Sequence, residues 1–155
     1  MRRTFPLASA AVAAAALISS AGATIVPQRG IAGVAIGMSQ PMARSVLGQP
    51  TSVKHASNDF GKYTILKYPG LQVTFQGNKS VTDVTTTRRS ERTPSGVGVG
   101  STEAQVKAKV GGVKCRTDGG FRHCYVGRFR PGRRVTDFSI KRGKVTRVDV
   151  GVVID

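Results

Sequence analysis

GVAIGMSQPMARSVLGQP (residues 33–50) and GVGVGSTEAQVKAKVGGV (residues 96–113) set out one order of residue types at two points in a chain of 155 residues. Aligning Gly37 with Gly100 gives an offset of 63, which also superposes Ser39 on Thr102, Ala43 on Val106, Leu47 on Val110 and Gly48 on Gly111. The order continues at offsets of 62 to 64: Tyr63 with Tyr125, YPG (68–70) with RPG (130–132), and NKSVTDV (78–84) with GKVTRV (143–148). Ordered landmarks at a nearly constant period point to a duplicated unit.

Each copy reads as a short helix followed by strands. Ser39 and Thr102 offer a hydroxyl to a backbone N–H that has no partner inside the helix, and Thr102 with Gln105 makes a capping box. Pro41 suits the first turn, where no intrahelical donor is yet required. Ala43, Val46 and Leu47, then Val106 and Val110, give helical apolar spacing, with Gly48 and Gly111 as stops. Beyond each helix come YTILKY (63–68), LQVTFQ (71–76) and SVTDVTTT (80–87), then HCYVGRF (123–129), RVTDFSI (134–140) and KVTRVDVGVVI (144–154). These runs are rich in Val, Thr, Ile and aromatics and are separated by turn dipeptides, so they read as antiparallel strands. Alternation places Leu71, Val73 and Phe75 on one face of their strand, and Val148, Val150 and Val152 on one face of theirs. The expected fold is α+β: two tandem units, 30–87 and 96–155, each a short N-terminal helix packed on an antiparallel sheet. The polar, proline-containing run 85–95 connects them, with 88–95 as the linker. Units near 60 residues are marginal alone, so the two need a shared interface or a staple.

The start of the chain is expected to be removed. MRR, the apolar run FPLASAAVAAAALI and the small residues SSAGA form a secretory leader over 1–23, with cleavage after Ala23 by the A-x-A pattern of Ala21 and Ala23. The apolar run is short and closed by Ser19 and Ser20, which fits a leader better than a bilayer span, and no Cys follows to carry a lipid anchor. A secreted or wall-associated product without stable membrane insertion is the expectation. Removing Arg2 and Arg3 from 24 basic residues leaves 22 against 8 acidic ones, a net charge of +14. Such a field favours anionic polymers and acidic proteins, and it equally serves as a solvated surface that keeps the chain soluble.

Cys115 and Cys124 in an exported chain read as one disulfide closing the hairpin CRTDGGFRHC. Two sulfurs and His123 fall short of a metal ligand set, and His55 belongs to the first unit, so no metal and no cofactor are expected. GMSQP lacks the closing Gly of a nucleophile elbow, and GVGVGST lacks the Gly-Lys-Ser/Thr ending of a phosphate loop. The acids Asp59, Asp83, Glu91, Glu103, Asp118, Asp137, Asp149 and Asp155 are scattered along the chain and nominate no acid–base pair, so catalysis is not expected.

The most promising surface is YVGRFRPGRR (125–134). On a strand, Tyr125 and Phe129 share one face and Arg128 and Arg130 the other, with Arg133 and Arg134 crowning the turn. Facing outward, the aromatics anchor a protein partner; facing inward, they are core. The arginines suit phosphate groups, but no base-reading motif accompanies them, so sequence-specific nucleic-acid binding is not expected.

IGMSQPMARSVLG and CRTDGGFRHC together resemble the tandem helix-plus-sheet repeats of the secreted β-lactamase inhibitory proteins and, more distantly, the SmpA/OmlA outer-membrane assembly lipoprotein domain. The resemblance spans residue 33 to the C-terminus. It implies a clamp whose sheet faces form an aromatic-rich surface, with an acidic hairpin tip entering the target enzyme. The tip in that register is KYPGLQ (67–72), which has no carboxylate, and the first unit has no cysteine pair. The expected partner-binding residues are Tyr63, Lys67, Tyr68, Tyr125, Arg128, Phe129, Arg130, Arg133 and Arg134. The expected function is a secreted, non-enzymatic inhibitor or modulator of an extracellular protein, the alternative being a cationic, wall-associated or polyanion-binding factor.

Overall fold

The computed structural model describes residues 24–154, so the expected leader at 1–23 lies outside the described residues. Three two-residue strands, β1 (Ile25–Val26), β2 (Gly30–Ile31) and β3 (Val34–Ala35), form a small sheet of their own. Then comes α1 (Gln40–Leu47), where Ser39 Oγ accepts from the Met42 N–H at 3.4 Å and Pro41 sits in the first turn. Gly48, at φ +80°, ends it by donating its N–H to Arg44 O. Four strands follow: β4 (Ser52–Asn58), β5 (Gly61–Tyr68), β6 (Leu71–Gln76) and β7 (Asp83–Thr86).

The second helix, α2 (Glu103–Lys109), opens on the full capping box: Thr102 Oγ1 accepts from the Gln105 N–H at 3.1 Å, and Gln105 Oε1 accepts from the Thr102 N–H at 2.9 Å. Its end is not Gly111 but Val110 in extended conformation, and Gly112 takes the positive φ of the following turn. Four strands follow here too: β8 (Lys114–Asp118), β9 (Phe121–Gly127), β10 (Arg134–Lys141) and β11 (Lys144–Val152).

The eight longer strands form one antiparallel sheet in the order β4-β5-β6-β7-β11-β10-β9-β8. In place of a separate sheet for each stretch, the two sets of four meet where β7 pairs with β11, from Thr86 opposite Val148 to Asp83 opposite Gly151. Backbone groups account for the join. Two independent sheets would leave the inner edges of β7 and β11 unpaired beside a common core, whereas pairing them satisfies both rows of N–H and C=O groups.

One face of this sheet is core. Leu66, Leu71, Val73, Phe75, Val84, Phe138, Val148 and Val150 are buried on it and pack with Ala43 of α1, Val106 of α2, and Ile25, Ile31 and Val34 of the small sheet. The alternation expected for β6 holds throughout, and Val152 at the end of β11 is half-buried. The expected linker is a packed strap. Thr85 and Thr86 belong to β7, Glu91 and Thr93 are buried, and Arg92 O accepts from the N–H groups of Thr24 and Ile25, both at 2.9 Å. Cys115 and Cys124 are directly paired residues of β8 and β9 and form the expected disulfide, with Cα atoms 4.0 Å apart. No helix among the described residues is long and apolar enough to cross a membrane.

Candidate functional site

The sheet face opposite the core carries the side chains that alternation turns away from it. Strand pairing aligns them in rows, and one row runs from edge to edge: Ser52, Lys67, Gln72, Thr85, Asp149, Asp137, Tyr125 and Lys114. A parallel row runs Ile65, Thr74, Asp83, Gly151, Val135 and Gly127. Another runs Arg147, Ser139, His123 and Arg116.

Tyr125 therefore stands on the polar face, outside the core cluster. β9 stops at Gly127, so Phe129 belongs to the β9–β10 loop and strand alternation does not govern it. It folds back against Tyr125 edge-on, ring centroids 4.9 Å apart, and stays 42% exposed. The Arg116 guanidinium lies 4.9 Å from the Tyr125 ring and 5.2 Å from the Phe129 ring, within cation–π range of both. Arg116 is itself held by Asp118 at 2.6 Å. His123 reaches Asp118 through Nε2 at 3.1 Å and Asp137 through Nδ1 at 2.8 Å. Between two carboxylates, both ring nitrogens act as donors only in the imidazolium form. The chain Asp137–His123–Asp118–Arg116 thus fixes the aromatic pair from below.

Beside it, Thr85 Oγ1 lies 2.9 Å from Asp83 Oδ2 and 2.8 Å from Asp149 Oδ1. A hydroxyl has one hydrogen to donate, so the second contact is satisfied when a protonated carboxyl donates to Thr85. Asp83 fits that part: loss of water around its carboxyl, then the charge of Asp149, push its pKa up to about 7. Burial also raises Asp137, opposed by its hydrogen bond to His123. Arg147 completes the group at 2.8 Å from Asp149. Asp83, Asp137, Asp149, Arg147 and Phe129 border a shallow groove of about 290 Å³.

The acids are thus scattered in sequence but not in space: Asp83, Asp118, Asp137 and Asp149, four of eight, share this face. For three of them the signal was Asp placed directly before a core residue, in TDV (82–84), TDF (136–138) and VDV (148–150). Only the β7–β11–β10 adjacency turns that recurrence into a cluster. Arg116 and His123 gave no such sign, since their role depends on the register of β8 and β9.

The other expected site residues separate. Lys67 lies in the same row as Tyr125 but five strands away, about 24 Å at the usual spacing. Tyr63 is half-buried, one row beyond Ile65. Tyr68 is corrected to a core residue: it is 8% exposed and its Oη donates to Gly48 O at 3.0 Å, closing the end of α1. Arg128, Arg133 and Arg134 border a cleft of about 590 Å³ with Gln28. Arg134 begins β10 and is not at the crown of the turn, while Arg130 is exposed in the loop.

Neither a family model nor a curated protein sequence matches this chain. Among solved structures it is similar to an extracellular protein containing an SCP domain from Bacillus anthracis str. Ames, with a TM-score of 0.51 at 12% identity. The likeness covers 76% of this chain and 44% of that one, so it spans less than half of the neighbour's length. At that identity it speaks to fold alone.

Proposed function

We propose that this chain is a secreted, non-enzymatic binding protein that inhibits or modulates another extracellular protein, docking it on the polar face of the sheet. The observation that carries this reading is the Tyr125–Phe129 pair on the polar face, braced by Arg116, with Phe129 42% exposed. Rigid aromatics beside an arginine are the side chains that dominate protein interfaces. The four carboxylates on this face disfavour a polyanion there. Export is supported by the leader pattern and by the disulfide, which persists in oxidising compartments.

The architecture behind this reading is two tandem units. Equal element order supports it, as do the isolated bridges Ser39–Ser80, from the α1 start to the loop before β7, and Thr102–Lys144, from the α2 start to the first residue of β11. The resemblance to β-lactamase inhibitory proteins makes an extracellular enzyme the partner class. With no carboxylate in KYPGLQ, contact falls to the aromatic platform in place of an acidic tip. A cationic, wall-associated role is the second reading, favoured by the cleft of Arg128, Arg133 and Arg134.

Immobilised mature protein, challenged with secreted proteins and wall fractions at low and high salt, tests both. A protein partner is retained at high salt, and a Tyr125→Ala/Phe129→Ala variant weakens retention at least about tenfold. Retention that vanishes with salt and is indifferent to the double variant sinks the sheet-face reading in favour of the cationic one.

A further inference from the structure

On the core side of the molecule the strap and the loop before α2 enclose a second polar cleft, of about 200 Å³. Arg89 and Arg92 enter it from the strap, Lys109 and Gln105 from α2, and Gly96, Val97, Val99, Gly100 and Ser101 of the preceding loop form its floor. No carboxylate borders it, and none of its three cations takes part in an ion pair among the described residues.

The floor is shaped for the guanidinium groups. A Cβ at Gly98 would fall 2.3 Å from Glu91 O and 3.1 Å from Arg92 Cδ, so only glycine lets the strap backbone at Glu91 and Arg92 lie against the loop. A Cβ at Gly100, which has φ +92°, would lie 3.7 Å from the Arg89 guanidinium. Arg92 is half-buried and its direction is fixed, Nη1 donating to Ser101 Oγ at 3.3 Å. The same oxygen accepts from the Gly98 N–H at 3.1 Å. With both lone pairs engaged, buried Ser101 keeps its own hydroxyl hydrogen, for which no acceptor lies in bonding range among the described residues.

Three cations, two of them planar forks, and a hydroxyl donor converging on a cleft without a carboxylate match a tetrahedral oxyanion, whose oxygens accept several charge-assisted hydrogen bonds at once. We infer that this cleft is a binding site for a phosphate group, independent of the sheet-face site. Its sources are free phosphate or the phosphodiester of an anionic polymer, and both present the same oxygens.

Two-dimensional NMR of the mature protein, titrated at constant ionic strength with inorganic phosphate in one arm and poly(glycerol phosphate) in the other, tests the assignment. The expected result is saturable movement of the Gly98, Gly100, Ser101 and Lys109 amides. Movement in the first arm identifies free phosphate, and movement only in the second identifies the polymer. Arg92→Gln weakens the midpoint about tenfold, the loss of one charge-assisted bond. Lys109→Gln, at an exposed helix end where folding is not at stake, weakens it severalfold. Arg128→Gln/Arg133→Gln, which removes more charge elsewhere, leaves it within about twofold. Linear, non-saturating shifts in both arms, or equal weakening by the remote pair, would overturn the site in favour of the general field of the protein.

Discussion

Asp83 and Asp149 both approach the Thr85 hydroxyl, and a proton shared among the three satisfies them all. With a folded pKa near 7 against an ordinary 3.8, Asp83 keeps its proton in the folded chain over a range where the unfolded chain has released it. Its contribution to stability is therefore full below about pH 4 and is lost as pH rises through about 7. Asp83→Asn removes that dependence while keeping a side chain that bonds to Thr85. Chemical denaturation at pH 5 and pH 9 is expected to show a smaller loss in the variant, by on the order of 2 kcal/mol. Equal losses in both proteins would mean that Asp83 ionises freely. At this scale the sequence was partly legible. Alternation left open which face Tyr125 takes, Tyr68 was misread because it ends β5 next to the Pro69-Gly70 turn while its ring points inward, and Phe129 reaches Tyr125 through a loop. The Asp cluster needed strand adjacency that no local pattern carries.

The two helices share a plan but not a quality of start. Thr102 and Gln105 satisfy two donors reciprocally, whereas Ser39 makes one contact at 3.4 Å with no returning side chain. Thr102→Ala is expected to lower stability by about 1 kcal/mol, and Ser39→Ala by less than half of that, measured by urea midpoint. Comparable losses would mean that the reciprocal bond adds nothing. At the far edge of the sheet, β8 is held by β9 alone, and Cys115–Cys124 ties the pair directly. Replacing both cysteines by alanine costs about 2 to 3 kcal/mol and speeds amide exchange in β8 and β9 before the central strands. Uniform acceleration across the sheet would contradict that. Helices and inner strands were legible because caps and periodicity are local. β4 was missed because an edge strand exposed along most of its length shows no alternation, and β1 to β3 because two residues cannot show a period.

A single sheet through β7 and β11, over one buried cluster, couples the two halves of the chain. Breaking either half would expose Val84, Val148 and Val150 together, so unfolding is expected as one transition, with calorimetric and van't Hoff enthalpies equal. Two resolved transitions would show that the halves fold separately. The helix-then-strands order of the two stretches was legible in sequence because caps, stops and apolar periods are short and local. Continuity of the sheet was not, since nothing in residues 83–86 or 144–152 states which edge they face.

An open sheet has two ends, and here they are β4 and β8, whose outer backbone groups pair with no strand among the described residues. β4 carries Lys54, and β8 carries Lys114. Copies meeting end to end bring cation against cation, which opposes their fusion into a longer ribbon. The basic excess thereby acts as a colloidal guard. A polyanion that screens those edges lifts it, and the same protein then becomes prone to stack strand on strand.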